Sequence, residues 1–341
     1  MQALVFHGQH QLALEDAPEP VLAPGEVLVQ VAACGICGSD LHGYLGHSAR
    51  RTRSIPLIMG HEFTGRIAAL GPQVETVLSI GQRVVVHPQI SCGRCPACRA
   101  GRANICPNMS IVGIERAGAF AERVAVPAHR VFPLPDGLGD LEGALVETLA
   151  VEVHLFRQVA RPLLRSVVVL GAGPQGLLAV QLARRAGASQ IIATDLIPHR
   201  LRLAEQMGAT TVLHGDEDVV ASILRLTDGW GAEFIVDAAG VAATRRQGVA
   251  ALAPGGTLGL IGLGPGETPI DFGPVINREL VLRGSYACSD DDFTHALGLL
   301  AGGHIQVASM LEVAPLREGA SCFEQLIDPA GGLAKVLLQP S

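Results

Sequence analysis

The sequence predicts an α/β protein of two domains, one a doubly wound parallel sheet and the other mostly β. Three observations carry this. Beyond about residue 160, apolar strand-like runs alternate with helix-length segments, the pattern of a parallel sheet covered on both faces. One of those runs, Val167-Val168-Val169-Leu170, enters directly a glycine-rich turn, Gly171-Ala172-Gly173-Pro174-Gln175-Gly176. The first 150 or so residues instead carry short β-type runs broken by glycine and proline, which suits an irregular β domain.

In the first domain the strand candidates include Val27–Val31, Phe63–Ile67 and Arg83–Val86, with turn signals at Pro24-Gly25 and Gly71-Pro72. In the second they are Ser166–Leu170, Gln190–Thr194, Thr211–Leu213, Glu233–Val236, Thr257–Ile261 and Leu280–Arg283. Helical patterns such as Gly176–Ala186 and His199–Met207 lie between them. The last 50 or so residues hold an amphipathic helix, Asp292–Leu300, and an apolar run, Ala334–Leu338, expected to return to the first domain.

A chain of 341 residues fits two domains, since a domain takes roughly 100–200 residues. With 48% hydrophobic and 17% charged residues it can bury a sizeable core. A net charge of −7 and only 4% aromatics, with no basic stripe, argue against nucleic acid as a partner. The basic cluster Arg50-Arg51-Thr52-Arg53 reads as a solvated loop. The start of the chain lacks a signal-peptide pattern, and no apolar run reaches the roughly 18 residues of a membrane span. A cytoplasmic protein with no membrane partner is therefore expected. In that compartment eight cysteines point to metal ligands rather than disulfides.

The glycine turn has the context of a Rossmann dinucleotide site. Gly171 permits the tight turn, Gly173 the close approach of a pyrophosphate, and Gly176 the packing of the helix on the strand. Pro174 and Gln175 complete the loop, and the helix start offers free N–H groups to phosphate. Asp195 follows Gly176 by 19 positions at the end of the next strand, where a carboxylate takes the adenosine ribose hydroxyls and repels a 2′-phosphate. NAD is therefore the expected cofactor. Arg200, nearby, is a candidate to stack on the adenine.

Cys92, Cys95, Cys98 and Cys106 form C-x2-C-x2-C-x7-C. Four thiolates so spaced can enclose one tetrahedral zinc and leave no place for substrate. A bacterial ferredoxin loop is the rival reading, but it needs three residues before the last cysteine, where seven stand here. A second constellation is dispersed over Cys37-Gly38-Ser39-Asp40-Leu41-His42, Gly60-His61-Glu62 and Val146-Glu147. Its spacing alone proves no site.

The strings Cys34–His42 and Gly60–Gly65, with the cysteine lobe and the glycine fingerprint in the same order, resemble the zinc-dependent medium-chain dehydrogenases of alcohol, sorbitol and threonine. The resemblance covers essentially the whole chain. It implies a GroES-like catalytic domain, residues 1–150 and 287–341, with a structural zinc lobe at about 92–106, and a Rossmann domain at 151–286. It implies a catalytic zinc held by Cys37, His61 and, in some states, Glu62. Glu147 resembles the acid that binds that zinc or its water in the polyol and threonine branch, although Thr148 follows it where proline is usual. Asp40 would fix the His61 ring, Ser39 would take the substrate proton, and His42 would pass it outward. Cys34 has no ligand role in the family.

The stretch Leu282–Cys288 resembles the family segment beside the nicotinamide, and Ile261, Gly262 and Ser285 join the cofactor candidates. Sorbitol and threonine enzymes often carry an arginine shortly after the glycine here numbered 284, and this chain does not. Tyr44 and Phe120 are candidates for lining a substrate pocket or for plain core packing. The activity implied is oxidation of a secondary alcohol, of polyol or sugar-alcohol type, to a ketone by NAD, with two zinc ions per chain and a homodimer or homotetramer. The alternatives are a dehydrogenase of simple alcohols, diols, threonine-like amino alcohols or sugar-alcohol phosphates, and, more remotely, a non-catalytic zinc- and NAD-binding redox sensor.

Overall fold

The computed structural model describes residues 1–75, 77–159, 164–264, 266–328 and 332–340. The chain forms two compact units, 1–150 with 288–341, and 151–287. Among the described residues no helix is long and apolar enough to cross a membrane.

The second unit is built on six parallel strands. Across the sheet they run Thr211–His214, Gln190–Asp195, Ser166–Leu170, Ala232–Asp237, Leu252–Leu260 and Val281–Gly284. This is the 3-2-1-4-5-6 order of a doubly wound dinucleotide fold, in which strand order reverses beside the first strand. Every residue of Ser166–Leu170 is buried, as a central strand covered on both faces requires, and its unbroken apolar run is the consequence. Helices Pro174–Arg185, Pro198–Gln206, Val219–Leu226 and Ala242–Ala251 connect the strands. The outermost strand, Val281–Gly284, pairs only with Leu252–Leu260 among the described residues and is largely exposed.

The first unit is mostly β. Its main sheet runs Val131–Pro133, Arg83–Val86, Glu62–Leu70, Glu26–Gly35, Lys335–Gln339 and Leu311–Pro315, with Arg123–Pro127 also paired to Glu26–Gly35. The C-terminal strand thus joins the N-terminal sheet, next to the strand that leads to Cys37. Phe6, Phe63, Phe120, Phe323 and Leu338 are buried in the core below. Gln11–Asp16, Gln2–Gly8 and Leu57–Ile58 make a separate three-stranded sheet.

The basic cluster departs from the sequence expectation. Residues Ala49–Thr52 form a short helix, and Arg51 is only 2% exposed. Tyr44 and Phe120 are core residues. The Tyr44 hydroxyl donates to Glu324 Oε1, its ring meets Phe323 edge-on, and Phe120 is fully buried.

Candidate active site

Two short segments, one at Cys37 and one at Gly60-His61-Glu62, converge in the first unit. Strand Glu26–Gly35 ends just before Cys37, which caps the helix Gly38–Tyr44. The cap is reciprocal: the Asp40 N–H donates to the Cys37 carbonyl at 2.9 Å, and the Cys37 N–H donates to Asp40 Oδ2 at 3.0 Å. His61 follows Gly60, whose φ is +95°. A Cβ at Gly60 would lie 2.8 Å from Cys34 Sγ and 2.9 Å from the Phe120 nitrogen. Glycine is therefore required there, on conformational and steric grounds. Glu62 opens strand Glu62–Leu70.

The ligand atoms of Cys37, His61 and Glu62 all lie within 4.8 Å of one another. Asp40 is fully buried, with Oδ1 at 3.5 Å from His61 Nδ1. Burial would raise the Asp40 carboxyl, but the His61 imidazole and the Arg51 guanidinium outweigh it and hold it at about 2. Burial likewise works to lower His61, while Asp40 and Cys37 more than reverse this and bring it well above its ordinary value. Glu62 is held at both oxygens. Thr148 Oγ1 donates to Oε1 at 2.9 Å, and the Lys335 ammonium is ion-paired with Oε2. Lys335 is 1% exposed and also donates to the Ile36 carbonyl at 2.9 Å.

Glu147 lies outside the 4.8 Å group of Cys37, His61 and Glu62, on the first turn of helix Val146–Val159. It is buried, and burial pushes its carboxyl up to about 7 despite the opposing pull of His61. Ser39 accepts from Arg51 Nη2 at 3.2 Å through its hydroxyl. Three residues on, His42 is half-buried, and desolvation, with His47 and Arg51 near, lowers its pKa.

The sulfurs of Cys95 and Cys98 are 3.4 Å apart, those of Cys95 and Cys106 3.9 Å, and those of Cys106 and Cys92 3.5 Å. A tetrahedron with Zn–S bonds of about 2.3 Å puts its sulfurs roughly 3.8 Å apart, so the four fit one ion. They are too close together to serve the separate irons of a cluster. Backbone N–H groups, that of Arg94 first, lower the Cys92 thiol to about 6, toward the thiolate that a metal needs. All eight cysteines are free.

In the second unit Gly171 has φ +97°. A Cβ at Gly176 would lie 1.8 Å from the Gly171 carbonyl oxygen, so only glycine fits. Gly173 caps the helix and Pro174 is its first residue, with Gln175 next. Asp195 Oδ2 accepts from the Ala172 N–H at 2.7 Å and Oδ1 from the Ile197 N–H at 2.9 Å, which fixes the carboxylate against the glycine turn. Arg200 lies on helix Pro198–Gln206. Ile261 and Gly262 follow strand Leu252–Leu260, and both their N–H groups donate to the Asp237 carbonyl. The Ser285 N–H donates to the Leu260 carbonyl at 3.0 Å.

Residues 23–136 match the family model of the alcohol dehydrogenase GroES-like domain, and residues 174–302 that of the zinc-binding dehydrogenases. The chain belongs to the zinc-dependent medium-chain alcohol dehydrogenase family. It is 32% identical to sorbitol dehydrogenase of Bacillus subtilis, over 100% of this chain and 98% of that protein. Its fold matches 2R,3R-butanediol dehydrogenase of the same species with a TM-score of 0.90 and 30% identity, over 100% of this chain and 99% of that one. It also matches an NADP-bound protein of Sinorhizobium meliloti 1021 with a TM-score of 0.91 and 34% identity, over 99% of each chain. The protein is thus a zinc-dependent, NAD-linked alcohol or polyol dehydrogenase.

Three residues of this dehydrogenase's site escaped the sequence reading. Lys335 stood as the one cation opening an otherwise apolar run, a signal that a strand with this residue inward would need a buried acid. Thr148 was visible only as a departure from proline. Arg51 lay hidden in a run of arginines that looked like a solvated surface.

Proposed function

We propose that this dehydrogenase oxidises a secondary alcohol of polyol or sugar-alcohol type to the ketone and reduces NAD, using the site around Cys37, His61 and Glu62. The observation that carries the reading is the convergence of a thiol, an imidazole and a carboxylate within 4.8 Å. The donor set suits zinc. With Nδ1 turned to Asp40, the His61 ring has Nε2 left for a metal. When bound there, zinc supplies a Lewis acid that makes a hydroxyl easier to deprotonate. Sorbitol and 2R,3R-butanediol, named in two relatives, both carry secondary hydroxyls on adjacent carbons.

The chain's own residues divide the remaining work. Asp40, 3.5 Å from His61 Nδ1, favours the tautomer with its proton on that nitrogen, while Thr148 and Lys335 fix the Glu62 carboxylate at both oxygens. Glu147 supplies a further carboxyl for the zinc or its water. Ser39 takes the released proton and His42 passes it outward, because a hydroxyl both accepts and donates whereas an imidazole exchanges with solvent near neutral pH. Cys92, Cys95, Cys98 and Cys106 hold a second, structural zinc. Gly171, Gly173, Pro174, Gln175, Gly176, Asp195, Arg200, Ile261, Gly262 and Ser285 receive NAD. The protein forms a homo-oligomer through the exposed strand Val281–Gly284 of its parallel sheet.

The test is NADH formation by zinc-replete protein across polyols, short diols, sugar-alcohol phosphates and threonine, with zinc counted per chain. Turnover is expected with polyols or diols, from two zinc ions. Cys37→Ala should lose one zinc and nearly all turnover yet stay folded, and Cys98→Ala should lose stability. His42→Ala should slow turnover roughly 10-fold near pH 7, a usual size for a proton-transfer group, and less at high pH where hydroxide takes over. Full activity and both metals in Cys37→Ala would sink the site. A His42→Ala profile parallel to wild type from pH 6 to 10 would remove the relay, and activity on threonine or phosphates alone would move the substrate class.

A further inference from the structure

We propose that Arg51 is a positioning residue of this site, one guanidinium that locks the Asp40 carboxylate and the Ser39 hydroxyl into a single unit behind His61 and Cys37. The proposal rests on the reading of Cys37 and His61 as metal ligands and of Ser39 as the first proton acceptor. Its basis is a buried cation 12 residues from Ser39 with three directed contacts. Arg51 Nη1 donates to the Ser39 carbonyl at 2.8 Å. Nη2 donates to Asp40 Oδ1 at 2.8 Å and to Ser39 Oγ at 3.2 Å. Both side chains of the Arg51–Asp40 pair are withdrawn from water, 3% and 0% exposed.

Asp40 is the hub. Its Oδ1 takes Arg51 and faces His61 Nδ1 at 3.5 Å, while Oδ2 takes the Cys37 N–H at 3.0 Å. The carboxylate therefore holds the backbone of one ligand and faces the ring of another across an ion-pair distance. Alone it could rotate about its terminal torsion, which is broad for an aspartate. The planar fork of an arginine fixes that rotation, because its donors stand at set angles.

The contact with Ser39 has a second effect. A hydroxyl has two acceptor positions and one donor. Arg51 occupies one acceptor position, so Ser39 keeps one to receive a proton and one O–H to release. The cation thereby gives the hydroxyl a direction as well as a place. Lysine cannot substitute, since an ammonium is a point charge without a rigid fork.

The fold makes room for this arm on purpose. Gly43, on the same short helix as Ser39 and Asp40, lies against the arginine stem, and a Cβ there would sit 2.5 Å from Arg51 Cδ. Gly43→Ala is thus a way to displace the guanidinium while keeping its charge.

The experiment compares the zinc-loaded wild type with Arg51→Ala, Arg51→Lys, Gly43→Ala and Cys37→Ala. It reads kcat and KM with a polyol, the rate of zinc loss to a chromogenic chelator, NAD affinity by fluorescence, and rescue by millimolar ethylguanidinium. Arg51→Ala should lose kcat and speed zinc loss by roughly 10–100-fold, the range for groups that orient metal ligands, with NAD affinity unchanged. Ethylguanidinium should restore kcat in Arg51→Ala and leave wild type unaffected. Arg51→Lys should retain zinc better than Arg51→Ala yet keep the kcat defect, and Gly43→Ala should move both readouts in the same direction.

Wild-type kcat and zinc loss in Arg51→Ala would overturn the proposal. So would an Arg51→Lys protein equal to wild type, which would reduce the residue to a neutralising charge. If Arg51→Ala does not fold, the Arg51→Lys and Gly43→Ala proteins decide by the same readouts. Cys37→Ala separates the two layers. If it keeps zinc and activity, the underlying site is wrong, whereas if it loses both while the Arg51 and Gly43 variants match wild type, only the role of Arg51 falls.

Discussion

Individual residues of this dehydrogenase fall into those whose chemistry shows in the sequence and those whose meaning comes from a distant partner. Cysteine spacing and the glycine turn belong to the first kind, because their constraints are local: a metal needs nearby sulfurs, and Gly176 must be glycine to clear Gly171. Lys335 belongs to the second, since its partner Glu62 is 273 positions away. So does Arg51, which composition alone places on the surface. Asp195 stands between the two kinds. Its position after the fingerprint suggested a ribose contact, and the structure pins its carboxylate to the Ala172 and Ile197 N–H groups. A carboxylate so fixed cannot swing away from a 2′-phosphate. The expected preference for NAD over NADP in kcat/KM is at least about 30-fold, from a lost hydrogen bond and a like-charge contact worth on the order of 2–4 kcal/mol. Asp195→Asn keeps an acceptor for Ala172 and should narrow the gap, chiefly by improving NADP. Equal use of both cofactors by the wild type would remove this role.

At the level of elements, the inner strands of the parallel sheet were legible because burial on both faces writes an apolar run into them. Ser166–Leu170 and Arg83–Val86 have the same limits in sequence and structure. Strand Leu311–Pro315 was not foreseen. Its residues are partly or fully exposed and its partner is Lys335–Gln339, so no local pattern marks it. The turn after Arg83–Val86 was equally silent about His87. That ring is 1% exposed, stacks on Phe293 with centroids 4.6 Å apart, and lies 3.5 Å from Asp290 and 3.8 Å from Cys288 Sγ. Burial first, and then the Arg130 guanidinium, drive its pKa well below the ordinary value. The folded state therefore holds it neutral, while the unfolded chain binds a proton below about pH 6.5. This contribution to stability is present in full above that pH and is lost as pH falls below it. The loss is at most about 1.4 kcal/mol per pH unit for one proton. Urea unfolding at pH 7.5 and 5.5 should show a destabilisation on the order of 1 kcal/mol in wild type that His87→Gln reduces. An unchanged difference in the variant would assign the pH dependence to other groups.

For the whole molecule, the outstanding physical question is the Val281–Gly284 edge of the parallel sheet, which is left open among the described residues. An edge strand presents unpaired N–H and C=O groups, and stable monomers blunt it with charge, proline or a covering element. Strand Val281–Gly284 carries only one charged residue, Arg283, and Val281 is 41% exposed. Just before it, helix Phe272–Asn277 exposes Phe272 at 59% and Ile276 at 75%. Apolar side chains concentrated beside this edge suit the interface proposed above. A second copy of the same strand, run antiparallel about a twofold axis, would satisfy both edges at once, and such a self-matching contact is the usual way to build a closed dimer. Wild type should therefore sediment as a multiple of 35.5 kDa at micromolar concentration. Ile276→Asp with Val281→Lys should shift it toward the monomer, since the two new charges lie at exposed positions that cost the isolated fold little but would be desolvated in the pair. Metal content should survive this change, because the cysteine lobe and the Cys37 site belong to the other unit. A monomeric wild type would refute the edge as an interface, and an oligomer that resists both charges would move the contact to another face of the molecule.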